Sequence, residues 1–274
     1  MSMAAWAHVS RALRSRVPFD PHDLDQRDPS VVSAFLAVFQ RVNRHYLRLK
    51  VDGLQHISSR PALYVGNHNG GIMGPDLPCT LATLWNGLGP EYPLYAMAHD
   101  FAMRTLQPLG RAIQLVGAMR ADPHSAAAAF DRGASVLAYP GGDLDAFRHF
   151  RDRNRVVFGD RIGFIRVAQR AGVPIVPIVA QGAHRSSVIV NDGAFIAELF
   201  GLKRRLRILR VPIAVGLPWG VGAGPLPYLP LPFAIKLRVL PAIAAPPEAD
   251  AAVLRDVVVA AMQRAMDEMA GASA

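Results

Sequence analysis

The stretch Val65-Gly66-Asn67-His68-Asn69-Gly70-Gly71-Ile72-Met73-Gly74-Pro75-Asp76 determines how the rest of the chain is interpreted. Residues of strand character, Ala62 to Val65, predict a short strand that ends just before the histidine. An acidic residue closes the stretch, at a position where a helix can begin. A histidine at the carboxyl end of a strand, with a carboxylate one loop away, is the minimum pair for a general base.

Strands and helices alternate along most of the chain. This pattern predicts an α/β fold with a mostly parallel central sheet covered by helices, preceded by an N-terminal helical arm at residues 1–44. The predicted strands are 46–51, 62–65, 94–98, 112–116, 136–139, 172–180 and 234–240. In the arm, Asp28-Pro29-Ser30 is typical of a helix start, and the helix that follows could pack on the core or lie on a membrane surface.

The charge, hydropathy and cysteine content of the chain limit the partners and sites that it can have. The chain has 274 residues, a formal net charge of +9 and a mean hydropathy of +0.19, which suits an anionic surface or anionic substrates. No nucleic-acid partner is expected, because the basic residues lack interleaved aromatic residues or a known binding motif. The single cysteine, Cys79, cannot form a disulfide framework or a cysteine-based zinc site, and we expect it to be a small buried residue.

The segment Lys203–Ile235 is one of two candidate membrane-surface segments, the other being the N-terminal arm. It joins five cations in Lys203–Arg210 to an uncharged run, Val211–Ile235, that is long enough to cross a bilayer. Six prolines and four glycines interrupt that run, so we predict strands and loops rather than a transmembrane span. A solvated turn leading into core strands is the other interpretation. We expect a peripheral protein on the cytoplasmic face of a membrane.

Polar residues follow several predicted strands. His68 and Asp76, then Arg120, then the loop Pro140–Arg148 each come after a short apolar run. Because binding sites in parallel sheets gather outside the carboxyl ends of the strands, we expect these residues to form one site. His184 follows a fourth strand, and we interpret it as a histidine of a surface loop.

Four motifs in this order carry a resemblance to a known family: Asn67-His68…Asp76, Gly117-x-x-Arg120, Tyr139-Pro140-Gly141-Gly142 and Val173-Pro174-Ile175-Val176-Pro177. Together they resemble the four blocks of the glycerolipid and lysophospholipid acyltransferase superfamily, over roughly residues 45–245. That family includes 1-acylglycerol-3-phosphate acyltransferases and transfers an acyl group from a thioester donor to a lipid hydroxyl. The Pro-Gly-Gly-x-x-acid form is similar to its diacylglycerol acyltransferase-like branch. The resemblance implies an acyltransferase domain at 45–274.

Two positions depart from the family pattern. Seven residues separate His68 from Asp76, where the family's first block commonly has four. Glycines in this loop could fold it back so that the carboxylate reaches the imidazole, and Asp100 is a second candidate for the same role. The third block usually reads Pro-Glu-Gly, whereas this chain has Gly141 in the middle. Its acidic role could pass to Asp145, while Asp143 could instead cap a turn.

The resemblance implies roles for individual residues. His68 would act as general base and Asp76 would orient it. Arg120 and Arg148 would bind anionic groups, and Gly141 and Gly142 would offer backbone N–H groups to anionic oxygens. The remaining predicted substrate contacts are Asn67, Gly70, Gly71, Pro140 and Asp145. No metal, cofactor or acyl-enzyme is implied, since acyl-CoA or acyl carrier protein would be a co-substrate.

The sequence therefore predicts an acyltransferase that moves a fatty acyl group to a hydroxyl of a glycerolipid or lysophospholipid. Two alternatives remain open. One is a thioester or ester hydrolase that uses the same site, and the other is a catalytically idle lipid-binding protein of the same fold. A lysophospholipid, glycerol phosphate, diacylglycerol or fatty alcohol would each need the same base, so the sequence does not identify the acceptor.

Overall fold

A computed structural model of the chain describes residues 3–14, 18–69, 71, 74–100, 102–103, 107–199, 211–218, 220–224 and 229–271. Within these residues the chain forms a seven-stranded central sheet flanked by helices and a separate three-stranded antiparallel sheet. The central sheet is mostly parallel, which confirms the predicted α/β class.

The central sheet sets the position of the candidate site. Its strands are β1 (Lys50–Asp52), β2 (Leu63–Gly66), β3 (Leu94–Ala98), β4 (Ala118–Arg120), β5 (Ser135–Ala138), β6 (Ile175–Gln181) and β10 (Lys236–Val239). They lie in the order β1-β10-β6-β2-β5-β3-β4, and the five strands from β6 to β4 are parallel. The carboxyl ends of those five strands therefore meet at one edge. The smaller sheet contains β7 (Val188–Asn191), β8 (Ile213–Gly216) and β9 (Gly220–Ala223).

The described helices cover both faces of the central sheet. They are α1 (Met3–Arg14), α2 (Pro29–Arg41), α3 (Asp76–Leu88), α4 (Gln107–Gln114), α5 (Pro123–Asp131), α6 (Gly142–Ala146), α7 (Gly163–Ala171), α8 (Ala194–Leu199) and α9 (Ala251–Gly271). As predicted, α2 begins at Asp28-Pro29. The Asp28 carboxylate accepts hydrogen bonds from the backbone N–H groups of Ser30 and Val31, which stabilises the first turn.

Successive side chains of β2 pack into two different cores. Leu63 and Val65 lie in a cluster with residues of α5, α7 and α9, whereas Tyr64 lies in a second cluster with residues of α2 and α3. This division follows from the alternation of side chains along a strand. Because both faces are covered, the central strands are mostly apolar, and β2, β5 and β6 are entirely buried.

The helix α2 is part of the protein core. Its residues Val32 and Leu36 are buried in the same cluster as Trp85 of α3. Val9 and Ala12 of α1 pack in turn against a small cluster that includes Val31. Of the two interpretations of the α2 helix, packing on the core is therefore confirmed.

One predicted strand is wrong. Residues 112–116 belong to the end of α4 and the turn after it, and the strand beside β3 is Ala118–Arg120. A short apolar run does not distinguish a buried helix end from a strand. The side chain of Gln114 fixes the helical arrangement, because it donates hydrogen bonds to the carbonyl groups of Asp20 and Asp23, both at 2.8 Å.

Substitution at the centre of the sheet tests this packing. Leu137 of β5 is fully buried between β2 and β3, so Leu137→Ala is expected to lower the free energy of unfolding by about 2–5 kcal/mol. Urea unfolding followed by circular dichroism measures this change. The control Val253→Ala, at an exposed position of α9, is expected to change it by less than about 0.5 kcal/mol. Equal effects of the two substitutions would contradict this arrangement.

Candidate active site

His68 lies directly beyond β2, at the edge where the parallel strands end. The residue before it, Asn67, is fully buried and bonds to β6 in both directions. Its amide accepts a hydrogen bond from the backbone N–H of Ala180 at 2.8 Å and donates one to the Ala180 carbonyl at 3.1 Å. These bonds make the Asn67 side chain a support of the His68 loop, and its predicted contact with substrate stays a prediction.

A buried ion pair holds the backbone of His68 from both sides. The Asp145 carboxylate accepts the backbone N–H of His68, and the Arg148 guanidinium donates to the His68 carbonyl at 2.7 Å. The two side chains also bond to each other, with 2.6 Å between Arg148 Nη1 and Asp145 Oδ1. Because the backbone N–H and carbonyl of His68 are both hydrogen-bonded, the position from which its side chain extends is fixed.

Both members of this pair are buried and bond to groups within the protein. The side chains of Asp145 and Arg148 are only 0% and 4% exposed. The other guanidinium nitrogens of Arg148 donate to the carbonyl groups of Asp152 and Arg153, both at 3.1 Å. Burial raises the pKa of Asp145, while Arg148 opposes that shift by stabilising the carboxylate. These contacts give both residues a positioning role, and the anion contact at Arg148 and the substrate contact at Asp145 stay predictions.

The glycine-rich loop folds back and brings Asp76 to His68. The Nδ1 atom of His68 lies 3.3 Å from Oδ2 of Asp76, and the carboxylate is fully buried at the first residue of α3. Gly71 donates its N–H to the carbonyl of Ala146 at 3.0 Å, which anchors the middle of the loop, and is itself buried. Gly74 is needed for the close return, since a Cβ atom there would lie 2.2 Å from Oδ1 of Asp76. Gly70 lies outside the described residues.

The contact with Asp76 assigns the two imidazole nitrogens of His68 different tasks. A proton on Nδ1 directed at the carboxylate leaves Nε2 as the atom that can accept a proton from a substrate. The distance of 3.3 Å is at the long end for such a bond, as is common in sites without substrate. The side chain of His68 is 19% exposed, so it is accessible from one side.

Tyr139 supports the imidazole ring from behind. Its ring stacks on that of His68, with 4.4 Å between the centroids and 22° between the planes. Burial raises the pKa of the Tyr139 phenol well above its usual value, so the ring stays neutral. Gly66 makes room for this ring, because a Cβ atom at that position would lie 2.6 Å from Tyr139. Neither Tyr139 nor Gly66 was assigned a role from the sequence.

The Pro-Gly-Gly turn is braced by Arg161. Nη1 of Arg161 donates to the carbonyl groups of Pro140 at 2.9 Å and Gly141 at 2.8 Å, and Nη2 pairs with Asp143. The N–H of Gly142 donates to the carbonyl of Tyr139 within the turn, and its contact with an anion stays a prediction. A Cβ atom on Gly141 would lie 2.3 Å from Cβ of Asp145, which shows why a small residue stands there.

Arg120 lies apart from the residues around His68. It ends β4, three strands away from β2, which corresponds to about 14 Å between strand axes. Its guanidinium pairs with Asp100 through two hydrogen bonds of 2.7 and 3.0 Å. This pairing removes Asp100 as the alternative partner of His68. An anion contact at Arg120 stays a prediction, and it would serve a part of a substrate distant from His68.

His184 is buried, which makes its assignment to a surface loop wrong. It lies in a short 3-10 turn, Ala183–Ser186, just after β6, and is 1% exposed. Its backbone N–H donates to the side chain of Asn69 at 3.0 Å, and the Asn69 amide donates to Ala180 at 2.6 Å. The position of His184 after a parallel strand next to β2 was the signal that could have placed it near His68.

Covalent catalysis by cysteine has no support at this site. Cys79 is buried in α3 as predicted, and burial raises the pKa of its thiol. Its Sγ donates to the side chain of Asn43 at 3.2 Å. Among the described residues, no group of three or more histidine, cysteine or acidic side chains is arranged to hold a metal ion.

Removal of Arg148 tests the buried pair. Arg148→Met would leave the Asp145 carboxylate buried without its partner, and we expect unfolding to become easier by about 3–5 kcal/mol. Burial raises the pKa of Asp145 and Arg148 opposes that rise, so the pKa of Asp145 lies higher still in the variant. The folded variant therefore binds a proton at pH values where the unfolded chain has lost it, and its stability falls as pH rises. The deficit should therefore shrink between pH 7 and pH 5.

Urea unfolding at several pH values measures this deficit. The matched control is Arg151→Met, whose side chain is 78% exposed and which should behave like the unmodified protein. A deficit in Arg148→Met that is absent, or that grows on acidification, would exclude the proposed pairing.

Comparisons with known proteins agree with this geometry. The family model described as Acyltransferase matches residues 48–181, which include every strand from β2 to β6. An uncharacterized protein of Mycobacterium tuberculosis is 28% identical over 219 residues, which are 78% of this chain and 55% of the relative. An uncharacterized protein of Mycobacterium leprae is 28% identical over 222 residues, covering 78% and 54%. The chain thus spans about half the length of the curated relatives it matches.

A solved structure shares the fold. The crystal structure of the 1-acyl-sn-glycerophosphate (LPA) acyltransferase PlsC from Thermotoga maritima superposes with a TM-score of 0.58 at 15% identity, covering 97% of this chain and 88% of that one. The family model thus matches the central strands that carry the His68–Asp76 pair at their carboxyl edge, so this region of the chain is similar to the Acyltransferase family, and the solved structure shows a shared fold.

Proposed function

We propose that this protein transfers a fatty acyl group from a thioester donor, acyl-CoA or acyl carrier protein, to a hydroxyl group of a glycerolipid or lysophospholipid. The observation that carries the proposal is the contact between His68 Nδ1 and Asp76 Oδ2, made across a loop that departs from the family spacing. The Acyltransferase family model and the PlsC-like fold support the same reaction class.

In the proposed reaction His68 acts as a general base. The acceptor hydroxyl gives its proton to Nε2 while its oxygen attacks the carbonyl carbon of the thioester. Asp76 lies on the other side of the ring, where its carboxylate keeps Nδ1 protonated and stabilises the imidazolium as it forms. The stacked Tyr139 ring and the buried Asp145–Arg148 pair keep the imidazole in place during this step.

The leaving group needs little assistance. As the carbon–sulfur bond breaks, the acyl group remains on the acceptor oxygen and the sulfur departs as a thiolate, which takes up the proton held by His68. Thiols ionise near pH ~8.5, far below alcohols, so the reaction favours loss of the thiolate. The mechanism requires no acyl-enzyme.

Loss of the base is the direct test of the proposed function. With palmitoyl-CoA as donor and 1-oleoyl-glycerol 3-phosphate or 1,2-dioleoylglycerol as acceptor, His68→Gln is expected to slow acceptor-dependent thiol release by about 10²–10⁴-fold. Asp76→Asn should slow it by a smaller factor, since it retains the base but loses the charge that stabilises the imidazolium. Release is followed with a thiol reagent, and the buried Cys79 keeps the background low.

The matched control is His45→Gln, which removes an exposed histidine that precedes β1. It should retain the rate of the unmodified protein. Thiol release that no acceptor stimulates, with His68→Gln equal to the unmodified protein, would reject the acyltransferase function. Release that depends on His68 but not on an acceptor would instead indicate a hydrolase.

We further propose that apolar side chains exposed on the three-stranded sheet and on α8 contact the membrane that supplies the acceptor. Apolar side chains are exposed across these elements and beyond β9, namely Val190, Phe195, Leu199, Val215, Leu217, Val221 and Leu229. The basic run Lys203–Arg210 joins α8 to β8 in the sequence, although it lies outside the described residues. Adjacent cations and apolar residues suit an anionic lipid surface. None of the described helices combines the length and apolar character of a membrane span.

Vesicle binding tests this contact. Val221→Asp places a charge on a side chain that is 72% exposed, and we expect it to reduce co-sedimentation with vesicles containing phosphatidylglycerol by several-fold. The control Val253→Asp makes the same change at a 62% exposed position of α9 and should leave binding intact. Equal losses in both variants, or none in Val221→Asp, would show that another surface meets the lipid.

A further inference from the structure

His184 has two buried ring nitrogens, and neither has a hydrogen-bond partner within the part of the chain that the structure describes. The side chain is 1% exposed, so bulk solvent does not reach it. A buried polar atom without a partner is unfavourable, and native proteins rarely retain one unless a ligand or an ordered water completes it. The two ring nitrogens, unpaired among the described residues, are therefore the observation from which a bound polar group can be inferred.

The position of His184 connects it with the candidate active site. It follows β6, and His68 follows β2, the strand that lies beside β6 in parallel. The side chain of Asn69, the residue after His68, accepts the backbone N–H of His184 at 3.0 Å. The two histidines thus stand on neighbouring strand ends that a buried asparagine ties together.

The charges around His184 keep its imidazole neutral. Burial lowers its pKa well below the usual value, and Arg148, Arg153 and His68 lie near enough to lower it further. Arg148 directs its guanidinium to backbone carbonyls and to Asp145, and Arg153 donates to the carbonyl of Phe150. A neutral imidazole has one N–H donor and one acceptor nitrogen, so its ligand must be able to use both kinds of bond.

We propose that His184 is a binding residue for the acceptor and hydrogen-bonds a hydroxyl of its alcohol end beside His68. The inference rests on the proposed acyltransferase function and adds a recognition residue to it. A hydroxyl both donates and accepts, which matches the neutral ring, whereas a phosphate dianion only accepts and would leave the second nitrogen unpaired. The site therefore recognises the alcohol part of the acceptor and not a phosphate.

Kinetics with two substitutions separate this role from a structural one. His184→Leu retains similar bulk without polar atoms, and His184→Gln restores a donor and an acceptor. We expect His184→Leu to raise the KM for 1-oleoyl-glycerol 3-phosphate or 1,2-dioleoylglycerol about 10-fold or more, which is the loss of one hydrogen bond to a partner left unpaired. The KM for palmitoyl-CoA should not change. His184→Gln should recover most of the acceptor KM.

An unchanged acceptor KM in His184→Leu would overturn the inference, because it would mean that only an ordered water fills the space. Equal rises in the KM values for donor and acceptor would overturn it too, since they would show a structural role. If His184→Leu does not fold, as judged by thermal unfolding, His184→Phe takes its place, since it also lacks polar side-chain atoms, and the same comparison of donor and acceptor KM values decides.

Ligand binding provides a test that is independent of turnover. In the His68→Gln background, the ring resonances of isotope-labelled His184 should shift when 1-oleoyl-glycerol 3-phosphate is added in detergent micelles. If the His184 resonances do not shift while the unmodified protein transfers acyl groups, this inference alone is overturned. An unmodified protein that is inactive with every acceptor contradicts the proposed function instead.

Discussion

The arrangement of the site depends on one buried ion pair, Asp145 with Arg148. These two side chains bond to the N–H and the carbonyl of His68, so this loop residue has both backbone polar groups paired, as a residue within a sheet does. Burial strengthens the attraction between the two charges, but removing them from water costs free energy. The remaining donors of Arg148 therefore need acceptors within the protein. The carbonyl groups of Asp152 and Arg153 supply those acceptors.

Once the backbone of His68 is fixed, the other parts of the site control its ring. Asp76 contacts one nitrogen, and Tyr139 covers one face of the ring. Two glycines are consequences of this geometry, since Gly66 admits the Tyr139 ring and Gly74 lets the loop return to Asp76. Most of the described polar residues in the sequence motifs therefore divide the task of positioning His68 among them. This division is typical of sites whose base must be preorganised.

Much of the fold was predictable from the sequence, and so was the central pair. Short apolar runs that end in polar residues identified β2, β5 and β6, and the order of the parallel strands then brought His68 and Asp76 to one edge. The sequence did not distinguish the end of α4 from a strand at residues 112–116, because helix ends and short strands can be equally apolar. Nor did it separate residues that bind from residues that position, since Arg148 is as suitable for a phosphate as for a backbone carbonyl. The burial of His184 depends on packing between distant segments, which local pattern does not encode.

The central claim is that His68 presents Nε2 to the substrate because Asp76 holds the proton on Nδ1. Nitrogen-15 NMR of the His68 imidazole, assigned by comparison with His68→Gln, measures this directly at a pH where the ring is neutral. We predict the tautomer with the proton on Nδ1, and we expect Asp76→Asn to weaken that preference. A neutral ring with its proton on Nε2, in a protein that still transfers acyl groups, would contradict it.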